Sequence, residues 1–403
     1  MGSCMSTFVD GKLVFEEGSI SAKLKRKLVA SSAIERDPAD DGKLCCNGVS
    51  NSCSAYSKKG RKGVNQDRFI AWEGFGGADQ ATFCGVFDGH GPIGHHVAKK
   101  VQDRLPNILL DDEHTRPFMI SKANIVGGTD MEHSESMMDN SSNTFCPIRN
   151  AFMDSYSKMD KELQVDPELN CEFSGTTAIT LLVQDKLLVI ANVGDSRAIL
   201  AYREGEDGPL RVKQLTVDFK PDLPGELDRI RNCKGRVFAL EDEPDVARVW
   251  LPHDDKPGLA MARAFGDFCL KEYGLSAVPH VSCRKVKETD EFVVLATDGV
   301  WDVMSNEEVA NVVAKIEPKD MAAKNVVDAA VRKWKRNFSH VRMDDIAVVC
   351  HFLNQKQGAP LISSDNSQSY SSKTSKELES LNSACHQNSV KMEIVVSSID
   401  KEI

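Results

Sequence analysis

Long apolar runs are missing from the 403 residues: none reaches the roughly 18 residues of a membrane span. No apolar core of a secretory signal is present either. The expectation is therefore a chain that folds in the cytosol. The twelve cysteines contain no Cys-x-x-Cys pair and no framework spacing. That disfavours a disulfide scaffold, and Cys84, Cys269 and Cys350 inside apolar runs read as reduced, buried thiols. Cys45, Cys46 and Cys53 cluster loosely, but a zinc module would want other spacing and a nearby histidine. Positive charge is also short: the formal net charge is -10. A general nucleic-acid binder, which neutralises phosphates, needs the opposite sign. No EF-hand loop and no internal repeat is found.

What the chain does have is aspartate at the ends of apolar runs. Ala81-Thr82-Phe83-Cys84-Gly85-Val86-Phe87 reads as a buried strand and leads into Asp88-Gly89-His90-Gly91. The two glycines permit a tight backbone and leave carbonyl oxygens accessible. Asp195 follows the run Leu187 to Gly194, Asp298 follows Phe292 to Thr297, and Asp344 precedes Ile346 to Cys350. One aspartate at a strand end is ordinary turn chemistry. Four of them suggest a carboxylate cluster across the rim of a sheet. Hard oxygen donors of this kind select Mg²⁺ or Mn²⁺ over zinc or copper.

The motifs DGHG at Asp88, SGTTA at Ser174, NVGDSRA at Asn192, ARAFGD at Ala262, ATDGVWDVMSNEE at Ala296 and the pair Asp344-Asp345 span Ser57 to Leu353. In this order they resemble the metal-dependent protein phosphatase 2C family. MGSCMS at the start and GRKGVNQD at Gly60 resemble its plant branch. The resemblance implies an α+β fold, two packed antiparallel β-sheets flanked by helices. It implies a protein serine/threonine phosphatase that hydrolyses phosphoserine or phosphothreonine with water activated by two metal ions, Mg²⁺ or Mn²⁺. Phosphoprotein substrates are compatible with the net charge, because a local basic site overrides the global sign.

The family's site residues carry over one by one. Asp88 matches the bridge between two ions, and the Gly89 carbonyl a ligand of the second. Asp298 and Asp344 complete that second site, with Asp345 the alternate to Asp344. Asp195 and Asp302 match a weaker third site. Asp67 matches an outer-shell acid that acts through water. His90 matches the general acid that protonates the leaving oxygen. The family's phosphate-binding arginine falls on Lys62, with Arg61 adjacent; lysine binds phosphate as a point charge rather than a fork. Gln66 stands where the family has glutamate, which removes one negative charge. Asp267 either joins this set or only shapes the turn after Arg263-Ala264-Phe265-Gly266. A cysteine phosphatase would need a Cys-x5-Arg loop, which is absent. An aspartyl-phosphate enzyme would want Asp-x-Asp, and His90 occupies that spacing. A silent binding domain would have lost Asp88, Asp298 or Asp344, and all three are present.

The chain divides into a segment 1–56, a catalytic domain 57–353 with a variable loop at about 111–143, and a polar tail 354–403. Met1 to Ser6 fits the myristoylation pattern at Gly2, and Cys4 is a palmitate candidate. The basic run Lys23 to Lys27 follows. One myristoyl chain binds membranes with only ~10⁴ per molar, so the second signals matter. The cytoplasmic face of a membrane and the cytosol are expected, with the nucleus still open and a monomer as the working unit. Within the domain the periodicity predicts a helix with Pro92 in its first turn and another over 148–165. It predicts strands at 68–72, 176–183, 186–192 and 197–202, with Gln184-Asp185 as a hairpin turn. A short helix at 225–232 sits in a charged, Pro/Gly-containing stretch, where the family has a mobile flap. Helices at 306–316 and 320–337 precede a closing strand at 346–353. The tail cannot offset its ordering entropy and reads as disordered, with 390–396 a short docking segment.

Overall fold

The computed structural model describes residues 52–78, 81–112, 115, 146–205, 208–338 and 342–353, plus short strands at 8–9, 12–13 and 43–45. Gly2, Cys4, the basic run, most of the 111–143 segment and the tail 354–403 lie outside the described residues. The main elements alternate in blocks. The strands Cys53–Lys58, Asp67–Glu73 and Ala81–His90 precede the helices Gly94–Asp111 and Cys146–Gln164. A second run of strands follows, from Gly175–Thr176 to Leu210–Gln214. The later strands His280–Lys285, Asp290–Ala296 and Ile346–Phe352 enclose the helices Asn306–Ala314 and Ala322–Asn337.

Two antiparallel sheets carry the molecule. One is five-stranded, in the order Leu210–Gln214, Arg197–Arg203, Asp290–Ala296, Ile346–Phe352, Cys53–Lys58. The other centres on Ala81–His90, with Asp67–Glu73 on one side and Ala178–Gln184, Leu187–Val193 and His280–Lys285 on the other. Strand side chains alternate faces, and here both faces are apolar. Cys84, Val86, Ile179, Leu181, Val293, Leu295, Ala347 and Val349 meet between the sheets. Phe83, Phe87, Ala178 and Leu182 point the other way, onto the helices Gly94–Asp111 and Cys146–Gln164. Val294, Ala296, Ile346 and Val348 do the same toward Asn306–Ala314 and Ala322–Asn337. The result is a helix–sheet–sheet–helix sandwich, an α+β fold.

Some boundaries differ from the sequence expectation, each for a local reason. The helix starts at Gly94, so Pro92 lies before it. The Ile93 amide is already taken by Ser174 Oγ at 3.1 Å. The hairpin turn is Asp185-Lys186, one residue later, because Gln184 pairs with Leu187 and Asp185 takes the left-handed φ of 53°. Two of the strands that fall within the segment 1–56 or cross its end join the main sheets. Cys53–Lys58 forms an edge of the five-stranded sheet, and Lys43–Cys45 pairs with Asp67–Glu73 in parallel. The stretch after Pro224–Asn232 holds a three-stranded sheet, Arg236–Leu240, Glu243–Trp250 and Pro257–Leu259. Its mixed burial gives no apolar alternation to read. Phe238 stacks on Trp250 at 4.9 Å and stiffens it.

Candidate active site

The register brings acids from both sheets to one rim. Asp88 stands near the end of Ala81–His90, directly opposite Asp67, the first residue of the neighbouring strand. Its amide donates to Thr177 Oγ1 at 3.0 Å, and its carbonyl accepts from the Thr177 amide at 2.9 Å. Asp298 opens the short helix Asp298–Trp301 just past Asp290–Ala296. Asp344 and Asp345 precede Ile346–Phe352, the strand beside it. Thr297 ties the two halves together. Its hydroxyl donates to Asp67 Oδ2 at 2.7 Å and accepts from the Ala347 amide at 2.9 Å. Thr297 was not singled out from the sequence; its position between Ala296 and Asp298 in the motif was the available signal.

Asp344 and Asp345 do different things. Asp345 Oδ1 accepts from the Gly60 amide at 2.7 Å and Oδ2 from the Gln66 amide at 2.8 Å. Its carboxylate therefore pins the 60–66 loop. Asp344 instead pairs with Lys62. Asp195, buried, pairs with Lys220, a cation that sequence reasoning missed. Lys62 is the member of the Arg61-Lys62 pair that touches the cluster. Burial works to lower its pKa, but Asp344, then Asp298 and Asp88, outweigh that and raise it. Arg61 is exposed, and its amide donates to Met343 O at 2.8 Å. Asp302 follows the Asp298 helix, with its amide on Asp298 O at 2.9 Å.

The electrostatics of the cluster follow from burial and like charge. Burial pushes the Asp88 carboxyl well up, and Asp298, Asp67, Asp344 and Asp195 push it further. Asp298 is raised by burial and then by Asp344. Asp67 is raised by burial and Asp345, with the Thr297 hydrogen bond pulling partly back. Asp298 Oδ1 and Asp195 Oδ1 are buried without a hydrogen-bond partner among the described residues. Crowded, desolvated carboxylates with open lone pairs are what a bound cation resolves. Every donor is oxygen, so the set fits Mg²⁺ or Mn²⁺.

His90 leaves the rim on one side. Its Nε2 lies 2.6 Å from Asp267 Oδ2, and its Nδ1 is buried with no partner among the described residues. Burial would lower the imidazole pKa; the Asp267 carboxylate overcomes this and raises it. Asp267 thus does more than shape a turn, although it also adopts the left-handed φ of 50°. The Gly of SGTTA explains itself here. A Cβ on Gly175 would collide with Asp267 Oδ2 and come within 2.7 Å of His90 Nε2. A Cβ on Gly89 would strike the Gly94 carbonyl. Gln66 Oε1 is buried without a partner among the described residues, and its side-chain amide lies beside Gly94. His95 and His96 stack on each other at 4.0 Å and stand on the helix as plain helical residues.

Acid-lined rims of this kind, between two antiparallel sheets, define a class of metal-dependent phosphohydrolase. The chain belongs to the protein phosphatase 2C family, whose model matches residues 51–337. It is 42% identical over 439 residues to probable protein phosphatase 2C 18 of Arabidopsis thaliana, covering 100% of this chain and 85% of the relative. It is 48% identical over 362 residues to probable protein phosphatase 2C 1 of the same plant, covering 88% and 77%. The serine-threonine phosphatase 2C of Toxoplasma gondii shares the fold, with a TM-score of 0.64 at 24% identity over 74% of this chain and 94% of that one. The chain is therefore a protein serine/threonine phosphatase.

Proposed function

We propose that the rim holds two divalent ions, Mg²⁺ or Mn²⁺, and a weaker third. Asp88 would bridge the first two. The Gly89 carbonyl, Asp298 and Asp344 would hold the second, Asp195 and Asp302 the third, and Asp67 would act through water. The observation that carries this reading is the buried carboxylate cluster with Asp298 Oδ1 left unpartnered. When bound, such ions supply Lewis-acid charge and lower the pKa of water that attacks phosphorus. The chain does the rest. Lys62, released from Asp344, offers its ammonium to the phosphate oxygens of a phosphoserine or phosphothreonine side chain. Asp267 fixes His90 through Nε2, which leaves Nδ1 to give its proton to the departing serine or threonine oxygen. Purified protein should hydrolyse a phosphopeptide in Mn²⁺ and stop on chelation. Activity that survives complete chelation rejects the reading.

The role of His90 can be isolated by leaving group. A serine alkoxide needs a proton as it departs; a nitrophenolate does not. His90→Gln is expected to slow phosphopeptide hydrolysis by about 10²-fold, within the usual range for general acids. The loss on p-nitrophenyl phosphate should be several times smaller. Asp267→Asn should show the same selectivity in weaker form. Equal losses on both substrates would remove His90 from proton transfer.

Location follows from the first residues. We infer that acylation of Gly2 and Cys4, with the basic run Lys23 to Lys27, divides the enzyme between the cytoplasmic face of a membrane and the cytosol, and we take the monomer as its working unit. Gly2→Ala is expected to move the protein from the membrane to the soluble fraction, and Cys4→Ser to do so in part. A wild type that is wholly soluble and carries no lipid on Gly2 overturns this, and leaves the nucleus as an equal address.

A further inference from the structure

Three metal-ligand side chains meet at the end of the strands away from the acidic rim. Cys53 comes from the edge strand Cys53–Lys58, His351 from its neighbour Ile346–Phe352, and Cys84 from Ala81–His90 in the other sheet. Cys53 and His351 are register partners. Cys53 Sγ lies 3.8 Å from Cys84 Sγ and 3.3 Å from His351 Nδ1. All three donor atoms fall within 4.8 Å of one another. Cys84 and His351 are buried, and Cys53 is half-buried.

We propose that Cys53, Cys84 and His351 form a zinc site that staples one sheet to the other. Around a tetrahedral zinc ion, with sulfur at about 2.3 Å and nitrogen at about 2.0 Å, two sulfurs stand about 3.8 Å apart and a sulfur and nitrogen about 3.5 Å. The two edges from Cys53 are close to these, and the third lies within 4.8 Å, so an ion would draw the Cys84 and His351 donors together. Thiolate and imidazole select zinc, whereas the oxygen-only rim selects Mg²⁺ or Mn²⁺. The two sites therefore do not compete for one metal. Binding sends the two thiol protons to solvent and moves no electrons. The ion and two thiolates sum to zero charge, which suits the apolar layer between the sheets. The hydrogen bond with Cys84, and then burial, hold the Cys53 thiol well above its ordinary pKa in the protonated form.

Glu73 adds a second, independent observation. It is 9% exposed, and its Oε2 has no partner among the described residues. The Ser52 hydroxyl donates to Glu73 Oε1 and lies 3.7 Å from Cys53 Sγ. The Glu73 carboxylate also acts electrostatically on His351. Its oxygens lie outside the cluster of three donor atoms, so it would hold the water that takes the fourth position and leave the site neutral. Sequence spacing could not show this site, because 31 and 298 residues separate Cys53 from its two partners.

The test uses the full chain, purified under reducing conditions without chelator from zinc-supplemented cells. Metal content of wild type is compared with Cys53→Ser, Cys84→Ala and His351→Gln. Wild type is expected to hold a single zinc ion that each variant lacks. Stripped wild type, titrated with Cd²⁺ in excess Mg²⁺, should develop a thiolate-to-cadmium absorption that Cys53→Ser does not. Cys53→Ser, at the half-buried edge, should keep Mn²⁺-dependent phosphatase activity and so report a folded chain. Equal zinc content in wild type and folded Cys53→Ser overturns the proposal. So does equal Cd²⁺ absorption in the two, or a Cys53–Cys84 disulfide in place of bound metal.

Discussion

Asp88→Asn is expected to lower phosphopeptide turnover by orders of magnitude while the sandwich stays folded. The substitution keeps shape and removes one charge. The strand end is held by backbone groups, since the Asp88 amide and carbonyl both bond Thr177. The side chain contributes to the cluster alone, where burial and four neighbouring aspartates disfavour its charge. Removing that charge relieves like-charge repulsion in the metal-free protein. Two measurements follow. In chelator, the Tm of Asp88→Asn should equal or exceed that of wild type. In Mn²⁺, the rise in Tm that wild type shows should shrink, because an ion stabilises only the state that binds it. Asp298→Asn should behave in the same way, as its Oδ1 is also open. Near-normal turnover by Asp88→Asn in Mn²⁺-limited buffer would reject the bridging assignment.

The parts of this molecule that were legible in the sequence are those with a local signature. Asp88, Asp195 and Asp298 each follow an apolar run; Asp195 and Asp298 lie just past their strands, while the strand of Asp88 runs on to His90 instead of ending at Phe87. The apolar strands told of sheets covered by helices on both faces, and the family resemblance supplied the two-sheet antiparallel sandwich. Contacts between distant segments left no such mark. His90 and Asp267 lie 177 residues apart, and nothing near either one announces the other. Lys220 reaches Asp195 across a loop, and Thr297 joins strands from both sheets. The sheet at Arg236–Leu240 was hidden because its strands are largely half-buried or exposed and show no alternation between an apolar and a polar face. The family resemblance put the second-site ligand at Asp344 and kept Asp345 as its alternate, without showing what the second acid does.

That choice sets the last expected result. Asp344→Asn should raise the Mn²⁺ concentration needed for activity far more than Asp345→Asn. Adjacent residues entering a strand point to opposite faces, so one site takes one of them. Asp345 has spent both oxygens on the Gly60 and Gln66 amides. Asp344 shares the cluster with Asp298 and Asp88, and its present partner is the mobile ammonium of Lys62. An ion can displace that ammonium and leave it for phosphate. Displacing Asp345 would strand two backbone donors. Asp345→Asn should therefore act on the fold: an amide nitrogen would face one of those donors, at a cost of about 1–3 kcal/mol. Its Tm should fall, and KM for phosphopeptide should rise as the 60–66 loop that carries Lys62 loosens. The Mn²⁺ titration midpoint should move little. A titration in which Asp345→Asn shifts the midpoint more than Asp344→Asn would place the ligand at Asp345 and assign the loop-pinning role to its neighbour.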